Sequence, residues 1–419
     1  MNKEQIKQML VEQRNAVLRK KNLILREDYD TLVEKLVLPH IQVITGMRRC
    51  GKSTLMKQII QTHYPQNNFY YINFEDERLL GFKANDFFEL FETQMELFGE
   101  HKTFFLDEVQ NAENFESFIR RLADDDYKFI ITGSNAKLLS SEISSKLTGR
   151  HIDTKISPFS FKEFLIFKKQ PFTQNEIYQS TEKVKIKKLF GEYLINGGMP
   201  EYVTFKDPEI LTRTYEDIVL KDIVVRYGIE NSMKLRELYR FMVSNSGQRF
   251  SYNSLAKASP YASAVSIIKY VEYLENTYFI KTISKFDYSL KKQQISEKKA
   301  YVIDNGFIKN ISIKYSPDNG WLLENLVCME LLKKGKVLYY RRKHECDFLL
   351  EENNTLTQAV QVCWWVNEQN IQRECDGLLS AMSELSIKKG FILTYDQEEE
   401  ITYKTKKIEL IPVWKWVLM

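Results

Sequence analysis

Short apolar runs alternate with stretches of helical periodicity over the first third of the chain. The apolar runs, which are typical of buried strands, lie at residues 40–45, 69–74, 103–106 and 128–132. Helical patterns occupy the intervals between them, at residues 52–62, 84–98 and 115–123. Because strands alternate with helices in this order, the pattern predicts an α/β domain built on a mostly parallel sheet.

The rest of the chain divides by the same criterion. Residues 1–35 have helical spacing, residues 161–228 are mainly helical, and short strand patterns return after a polar stretch at 291–299. The pattern predicts five segments: an N-terminal helical segment 1–35, an α/β core 36–160, a helical lid 161–230, a segment 231–295 with two helices and a strand pair, and an α/β domain 296–419.

Composition is that of a globular protein. Of the 419 residues 43% are hydrophobic and 28% charged, and 60 basic against 56 acidic side chains leave a net charge of +4. This balance does not by itself indicate a nucleic-acid partner. Five cysteines without CxxC spacing argue against a disulfide framework or zinc. No apolar run approaches the roughly 18–20 residues that span a bilayer, and the charged N-terminus lacks a signal-peptide pattern, so we expect a cytoplasmic protein without a membrane partner.

A phosphate-binding loop is the strongest chemical signal. Residues 46–53 read GMRRCGKS and match G-x-x-x-x-G-K-[ST] between a predicted strand and a helix. In such a loop backbone N–H groups and the helix N-terminus bind phosphate, Lys52 reaches the β- and γ-phosphates of ATP, and Ser53 ligates Mg²⁺. The predicted nucleotide-binding residues are Gly46, Arg49, Cys50, Gly51, Lys52, Ser53 and Thr54. The side chain of Arg49 either touches phosphate or points outward.

Two later strand ends carry polar residues suited to hydrolysis. Asp107 and Glu108 follow the apolar run at 103–106, and we expect Asp107 to hold Mg²⁺ through water and Glu108 to polarise the attacking water. Asn135, or Ser134, follows the next strand and is predicted to lie near the γ-phosphate. Arg150 is either a surface residue or a finger that stabilises the transferring phosphoryl group. A finger would act in its own subunit or in a neighbour's, and the second case requires a homo-oligomer.

These residues together resemble a known family. The runs ITGMRRCGKST, TFFLDEVQN, ITGSNAKLLS and SKLTGRHIDTKISPFSFKEFL are similar to those of prokaryotic AAA-type ATPases of the archaeal-ATPase group, and YLINGGMPE at 193–201 and KDIVVRY at 221–227 extend the likeness. The resemblance implies an AAA-type core, a winged-helix segment and a C-terminal domain similar to restriction endonucleases. It supports the roles given to Lys52, Ser53, Asp107, Glu108 and Asn135, and favours Arg150 as a finger.

The winged-helix expectation has a counterpart in the residues. A short helix at 249–257, a turn near Pro260 and Tyr261, and a longer helix at 263–277 have helix-turn-helix spacing. The longer helix is predicted to bury one face, formed by Val265, Ile268, Val271 and Leu274. Its outward side carries one basic residue, Lys269, which is little for contact with phosphates. DNA binding and contact with protein both remain open.

The C-terminal segment matches a nuclease pattern in part. Such nucleases use a helix Glu, a strand Asp and then (Asp/Glu/Gln)-x-Lys, with the acids binding Mg²⁺ and the lysine acting on water. Here the corresponding residues are Glu324, Asp347, Gln361 and Cys363, so a thiol stands where the lysine is expected. We therefore expect nuclease activity to be lost or weakened. A DNA-binding remnant and a structural or assembly role remain open, as does replacement of the lysine by Arg342 or Lys343.

Two functions follow as hypotheses. The first is an ATP-hydrolysing AAA-type enzyme that acts on DNA or is regulated by it. The second is a nucleotide-dependent switch or scaffold for a protein partner, without DNA binding.

Overall fold

The computed structural model describes residues 2–19, 23–83, 86–135, 150–172, 179–258, 263–313 and 319–419. The chain forms two compact units. Unit 1 comprises Met1–Ser157 with Asn276–Tyr278, and unit 2 comprises Pro158–Glu275 and Phe279–Met419.

A parallel five-stranded sheet forms the centre of unit 1, as the sequence predicts. Its strands are β1 (Ile41–Gly46), β2 (Tyr70–Asn73), β3 (Thr103–Asp107), β4 (Lys128–Gly133) and β5 (His151–Ile156). They lie in the order β2-β3-β4-β1-β5, and every neighbouring pair is parallel. Since β1 to β4 are almost wholly buried, their near-continuous apolar runs are those of a sheet covered on both faces.

Helices pack against this sheet. They are α1 (Lys3–Leu18), α2 (Asp28–Lys35), α3 (Lys52–His63), α4 (Asp86–Phe98) and α5 (Phe115–Ala123). The last three agree closely with the sequence prediction, although Ala84, where α4 was expected to begin, lies outside the described residues. The N-terminal segment, predicted as helical, consists of the two helices α1 and α2. A capping box between Asn2 and Gln5 starts α1, which buries Ile6, Met9 and Leu10 in the core.

The fifth strand was not predicted. β5 reads HIDTKI, and its apolar residues are separated by charged and polar ones, unlike the other four runs. It lies at the edge of the sheet and pairs only with β1 among the described strands. An edge strand does not require an apolar run, which explains why hydrophobicity did not reveal it.

Unit 2 begins with helices and continues into a large sheet. Its helices are α6 (Phe161–Phe167), α7 (Ser180–Asn196), α8 (Pro200–Phe205), α9 (Pro208–Asp217), α10 (Ser232–Ser244), α11 (Tyr252–Ala258), α12 (Ala264–Asn276), α13 (Leu290–Ile295), α14 (Asn305–Ile311), α15 (Asn319–Lys334), α16 (Ile371–Glu384) and α17 (Val413–Trp416). A π-helical segment, Ile218–Val225, continues α9. The strands are β6 (Arg249–Phe250), β7 (Ile280–Lys285), β8 (Lys298–Val302), β9 (Lys336–Arg341), β10 (Glu345–Glu352), β11 (Thr355–Cys363), β12 (Lys389–Thr394), β13 (Glu399–Tyr403) and β14 (Lys406–Pro412).

These strands form one mixed sheet in the order β13-β14-β12-β11-β10-β9-β7-β8-β6. β7 pairs antiparallel with β8 and parallel with β9, so the strand pair expected in segment 231–295 and the strands expected in 296–419 are continuous. The boundary that the sequence predicts at residue 295 therefore falls inside this sheet.

The longer helix of the helix-turn-helix pattern, α12, buries only part of the face that was predicted, namely Val271 and Leu274. Ile267, Val271 and Leu274 are buried, whereas Val265 is 65% and Ile268 is 44% exposed. The prediction that Val265 and Ile268 face inward is wrong, because the helix packs through positions 267, 271 and 274, which repeat at intervals of four and three residues. The predicted turn at Pro260 and Tyr261 lies outside the described residues.

Candidate functional site: the phosphate loop of unit 1

Two glycines determine the path of the loop between β1 and α3. Gly46 has φ 150° and Gly51 has φ 113°. A Cβ on Gly46 would lie 2.3 Å from the carbonyl oxygen of Ile156, and one on Gly51 would lie 2.7 Å from Nη1 of Arg26. A residue with a Cβ is disfavoured at both positions, because the positive φ strains its backbone and the Cβ would approach a neighbouring atom too closely. The loop therefore has the shape that brings its N–H groups together before the N-terminus of α3.

The rear of the loop is held by a residue that the motif does not contain. The guanidinium of Arg26 is buried, and its Nη1 donates to the carbonyl oxygen of Cys50 at 2.8 Å. Cys50 is itself fully buried, and burial raises the pKa of its thiol. Because the Cys50 side chain faces the protein, only its backbone can take part in the predicted nucleotide binding. Arg49 lies exposed in the left-handed region, at φ 63°.

Lys52 begins α3 and points its ammonium to the carboxyl edge of the sheet. Its Nζ donates to the carbonyl oxygen of Met47 at 3.2 Å and lies 3.2 Å from Oε1 of Glu108. Burial alone would lower the pKa of Lys52, but the negative charge of Glu108 outweighs burial and raises it. A phosphate oxygen bound by this ammonium would compete with Glu108 for it.

Asp107 ends β3 and is oriented by three hydroxyl groups. Its Oδ1 accepts from Ser53 Oγ at 2.9 Å and from Thr132 Oγ1 at 2.5 Å, and its Oδ2 accepts from the Tyr71 hydroxyl at 3.2 Å. Burial and the charge of Glu108 raise its pKa despite the hydrogen bonds from Thr132 and Ser53. A cation beside the carboxylate would offset that cost.

Glu108 is fixed at both its backbone and its carboxylate. Its φ of 50° is left-handed, and its N–H donates to Thr132 Oγ1 at 2.9 Å. Its Oε2 accepts from Gln110 Nε2 at 2.5 Å. Burial alone would raise the pKa of Glu108, but the charge of Lys52 and the hydrogen bond from Gln110 outweigh it and lower the pKa. The carboxylate is therefore ionised at neutral pH.

The predicted sensor residues lie at the neighbouring strand end. β4 lies between β1 and β3, and Leu106 is paired with Ile131, so the residues after Thr132 leave the sheet beside Asp107. Asn135 is fully buried there, and Ser134 Oγ accepts from Gln110 Nε2 at 3.3 Å.

Arg150 lies at the opposite edge of the sheet. β5 runs parallel to β1 with His151 paired to Ile41, so Arg150 precedes the amino end of β5, while the phosphate loop follows the carboxyl end of β1. Strands of this length separate the two edges by roughly 17 Å. The Arg150 guanidinium instead pairs with Asp124 at 2.6 Å. This position does not support a finger role within its own subunit, and the finger role of Arg150, in its own subunit or across subunits, stays a prediction. Residues 145–149 lie outside the described part of the chain.

Four residues that contact the site were not predicted from the sequence: Arg26, Tyr71, Gln110 and Thr132. Thr132 and Gln110 stand inside the quoted runs, but nothing in their spacing shows that they contact Asp107 and Glu108. Arg26 and Tyr71 approach from other elements, and no sequence signal marks them.

The nuclease-like residues of unit 2 occupy the expected elements. Glu324 is on α15, Asp347 on β10, and Gln361 and Cys363 on β11. The Cys363 thiol donates to the carbonyl oxygen of Trp365 at 3.3 Å, and burial raises its pKa to about 11. It therefore stays a neutral thiol, which cannot replace the ammonium of a lysine.

The lysine that the pattern lacks at position 363 has a counterpart on another strand. Lys299 of β8 places its ammonium 3.2 Å from Glu324 Oε1 and 3.8 Å from Asp347 Oδ1. Arg342, the sequence-based alternative, instead pairs with Glu384 at 3.1 Å. Lys299 was not predicted as a site residue, because it ends the polar stretch at 291–299.

The loop, the Asp-Glu strand end and the parallel sheet define a P-loop nucleotide-binding protein with an AAA domain. In agreement, the family model described as "AAA domain" matches residues 39–165. A second family model, described as a domain of unknown function, matches residues 187–314.

Two relatives that match almost the whole chain show the family to which the protein belongs. The chain belongs to the same family as the uncharacterized protein MJ1544 of Methanocaldococcus jannaschii, to which it is 36% identical, with 96% of this chain and 93% of that protein covered. An uncharacterized protein of Haemophilus influenzae is 31% identical, with 95% of this chain and 99% of that protein covered.

Two solved structures also show similarity. AMPPCP-bound DnaA from Aquifex aeolicus is 14% identical with a TM-score of 0.32, covering 61% of this chain and 90% of that one. The ADP form of the Aeropyrum pernix ORC2 protein is 11% identical with a TM-score of 0.32, covering 68% and 93%. Both scores are low.

Within the described ranges, no helix combines the length and the apolar character needed to cross a bilayer.

Proposed function

We propose that unit 1 binds Mg·ATP and hydrolyses it. The observation that carries this proposal is the adjacency of two pairs at one edge of the sheet: Ser53 with Asp107 at 2.9 Å, and Lys52 with Glu108 at 3.2 Å. Ser53 and Asp107 offer oxygen atoms to a metal ion. Lys52 and Glu108 place a phosphate-binding ammonium beside an ionised general base.

Each residue has a distinct task in this proposal. Loop N–H groups and the N-terminus of α3, at Ser53 and Thr54, bind phosphate oxygens, and Lys52 neutralises their charge. The hydroxyl of Ser53 and the carboxylate of Asp107 fit Mg²⁺, which prefers oxygen ligands and takes its remaining ones from phosphate and water. Bound there, Mg²⁺ would neutralise charge on the phosphates. Glu108 accepts a proton from the attacking water, and Asn135 contacts the γ-phosphate.

The direct test is phosphate release by the purified chain with ATP. We expect turnover that requires Mg²⁺ and stops on chelation. Ser53→Ala should raise the Mg²⁺ concentration needed for half-maximal rate by about tenfold or more, the usual loss when one charge-assisted contact is removed. Ser117→Ala, at an exposed position of α5, serves as the matched control. ATP bound without any turnover would reduce unit 1 to a nucleotide switch, and no ATP binding would refute the proposal.

We also propose that α12 contacts a protein rather than DNA. The elements α10, β6, α11, α12, β7 and β8 follow the order helix, strand, two helices and two strands, which supports a winged-helix arrangement. In such folds the second of the paired helices is the reading helix. Here its exposed side carries Val265 and Ile268, with Lys269 and Glu272 beside them. An apolar surface with a near-balanced charge suits protein contact better than phosphate contact.

Two measurements separate these partners. Labelled duplex DNA at low salt should show no anisotropy change with the chain, with or without ATP. A partner captured by ATP-loaded Glu108→Gln protein should be lost when Val265 and Ile268 are replaced by Asp, and retained in the control Lys269→Ala. Salt-dependent DNA binding that is lost in Lys269→Ala would contradict the protein-contact proposal and favour the DNA-acting enzyme.

A further inference from the structure

One ammonium in unit 2 is surrounded by three carboxylates. Lys299 Nζ lies 3.0 Å from Glu345 Oε1, 3.2 Å from Glu324 Oε1 and 3.8 Å from Asp347 Oδ1. The Lys299 side chain is only 5% exposed. We refer to these four residues as the Lys299 cluster. Lys299 contacts all three acids, and Glu345, the most exposed of them at 30%, also lies 3.6 Å from Arg249 Nε and 3.8 Å from Arg341 Nε.

The other polar atoms near the cluster are already hydrogen-bonded. Tyr301, two residues along β8 and on the same face as Lys299, donates from its hydroxyl to Glu324 Oε1 at 2.6 Å. The backbone N–H of Val362 donates to Asp347 Oδ2 at 2.9 Å. These oxygens would be metal ligands in a nuclease, and here protein donors satisfy them.

Gln361, the third ligand in the nuclease pattern, is also engaged on both sides of its amide. Its Oε1 accepts from the backbone N–H of Asp347 at 3.2 Å, and its Nε2 donates to Glu374 Oε2 at 2.7 Å. The oxygen that a metal ion would need is therefore turned to the backbone.

The ammonium of Lys299 is held in its charged form by carboxylates at 3.0, 3.2 and 3.8 Å. Burial alone would lower the pKa of Lys299, but the charges of Glu324, Asp347 and Glu345 outweigh burial and raise it well above its usual value. Mg²⁺ requires oxygen ligands at about 2.1 Å in near-octahedral geometry, and a second cation at this point would be repelled by the ammonium. Across the described ranges, no group of three or more His, Cys, Asp or Glu side chains is arranged to hold a metal ion.

We propose that the Lys299 ammonium is the resident cation of this cluster, and that unit 2 takes up no divalent metal ion there. The lysine missing from β11 is supplied by β8, but it occupies the point where the three carboxylates converge instead of standing beside a metal. The acids that resemble a nuclease site then stabilise the junction of β8, β10 and α15.

Binding of Mn²⁺ to the full chain without nucleotide, followed by electron paramagnetic resonance, tests this directly. Wild type and Asp347→Asn should bind the same amount, and that comparison subtracts any Mn²⁺ held elsewhere, including at Ser53 and Asp107. Lys299→Ala should bind one additional Mn²⁺ per chain, and Lys299→Ala with Asp347→Asn should lose it.

The matched control is Lys298→Ala on the same strand. Lys298 Nζ donates to Ser284 Oγ at 2.9 Å, outside the cluster, so its removal should not create a metal site.

Thermal unfolding gives a second readout. Lys299→Ala removes the cation that Glu324 and Asp347 share, while Glu345 keeps Arg249 and Arg341 beside it. We expect its Tm to fall by about 10 °C, because removing one partner of a buried ion pair is strongly destabilising. Mn²⁺ should recover part of that loss and should leave the wild-type Tm unchanged.

Two results would overturn the proposal. The first is Mn²⁺ bound by the wild type and lost in Asp347→Asn, which would show a metal site that coexists with Lys299. The second is a folded Lys299→Ala chain that binds no additional Mn²⁺. If Lys299→Ala does not fold, the comparison of wild type with Asp347→Asn still decides the question.

Discussion

Glu108→Gln is expected to stop ATP turnover while leaving Mg·ATP bound. The amide keeps the size of the carboxylate and can still accept a hydrogen bond from Gln110, which lies 2.5 Å from Glu108 Oε2. It cannot take a proton from water, and general-base catalysis of this kind contributes about 10²–10⁴-fold. We therefore expect kcat to fall by about a thousandfold, measured as phosphate release, with nucleotide affinity at or above that of the wild type.

The affinity has a reason to rise. In the wild type Glu108 competes with phosphate for the Lys52 ammonium, at 3.2 Å. The neutral amide competes less, so more of the Lys52 charge is available to the nucleotide.

Lys52→Ala should do the opposite and lose ATP binding, because the buried positive charge at the phosphate is removed.

An exposed acid five positions after Glu108 in the sequence provides the control. Glu113→Gln, two positions before the start of α5, removes one exposed carboxylate that takes part in none of the site contacts described above. It should leave both rate and affinity unchanged. Normal turnover in Glu108→Gln would mean that another group activates water, and the assignment of Glu108 as the base would have to be abandoned.

Many helices and strands of unit 1 could be predicted from the sequence, because the burial of each one leaves a hydrophobic pattern within its own residues. β1 to β4 are buried on both faces and are therefore apolar runs, and α3 to α5 each bury one side and therefore show helical spacing. β5 escaped because an edge strand such as HIDTKI mixes charged residues with its apolar ones. Because β5 was not predicted, the position of Arg150 could not be predicted either. Which edge of the sheet Arg150 occupies depends on the direction of β5.

The site residues that lie close together in the sequence could be predicted, and those brought together only by the sheet could not. Gly46 to Ser53 and the Asp107-Glu108 pair are contiguous, so their chemistry could be recognised from spacing. Thr132 holds both acids through contacts across β3 and β4, and strand register is not visible in one sequence.

Lys299 was missed for the same kind of reason. It ends a polar run of nine residues, and only its place on β8 shows that it shares a face with Tyr301. A buried lysine in a polar run looks like a surface lysine until the sheet is known.

Gly46→Ala should abolish nucleotide binding by deforming the loop. The added Cβ would meet the carbonyl oxygen of Ile156 at 2.3 Å, and this oxygen belongs to backbone paired with β1, so it cannot rotate away as a side chain would. The φ of 150° is also unfavourable for a residue with a Cβ. Relief requires either separation of β1 from β5 or rotation of the first peptide of the loop. Both displace the N–H groups that bind phosphate, so we expect ATP affinity to fall by at least about 100-fold in calorimetry.

Gly99→Ala separates backbone strain from loss of the loop. Gly99 has φ 81°, and a Cβ there would meet nothing within 4 Å. Its replacement should cost about 1–2 kcal/mol of stability for the left-handed backbone and leave ATP affinity unchanged. If Gly46→Ala lost only that much stability and still bound ATP normally, the close approach of Gly46 to Ile156 would not be what shapes the loop. If Gly46→Ala lost binding while its unfolding remained cooperative, the defect would lie in the phosphate-binding geometry and not in the stability of unit 1.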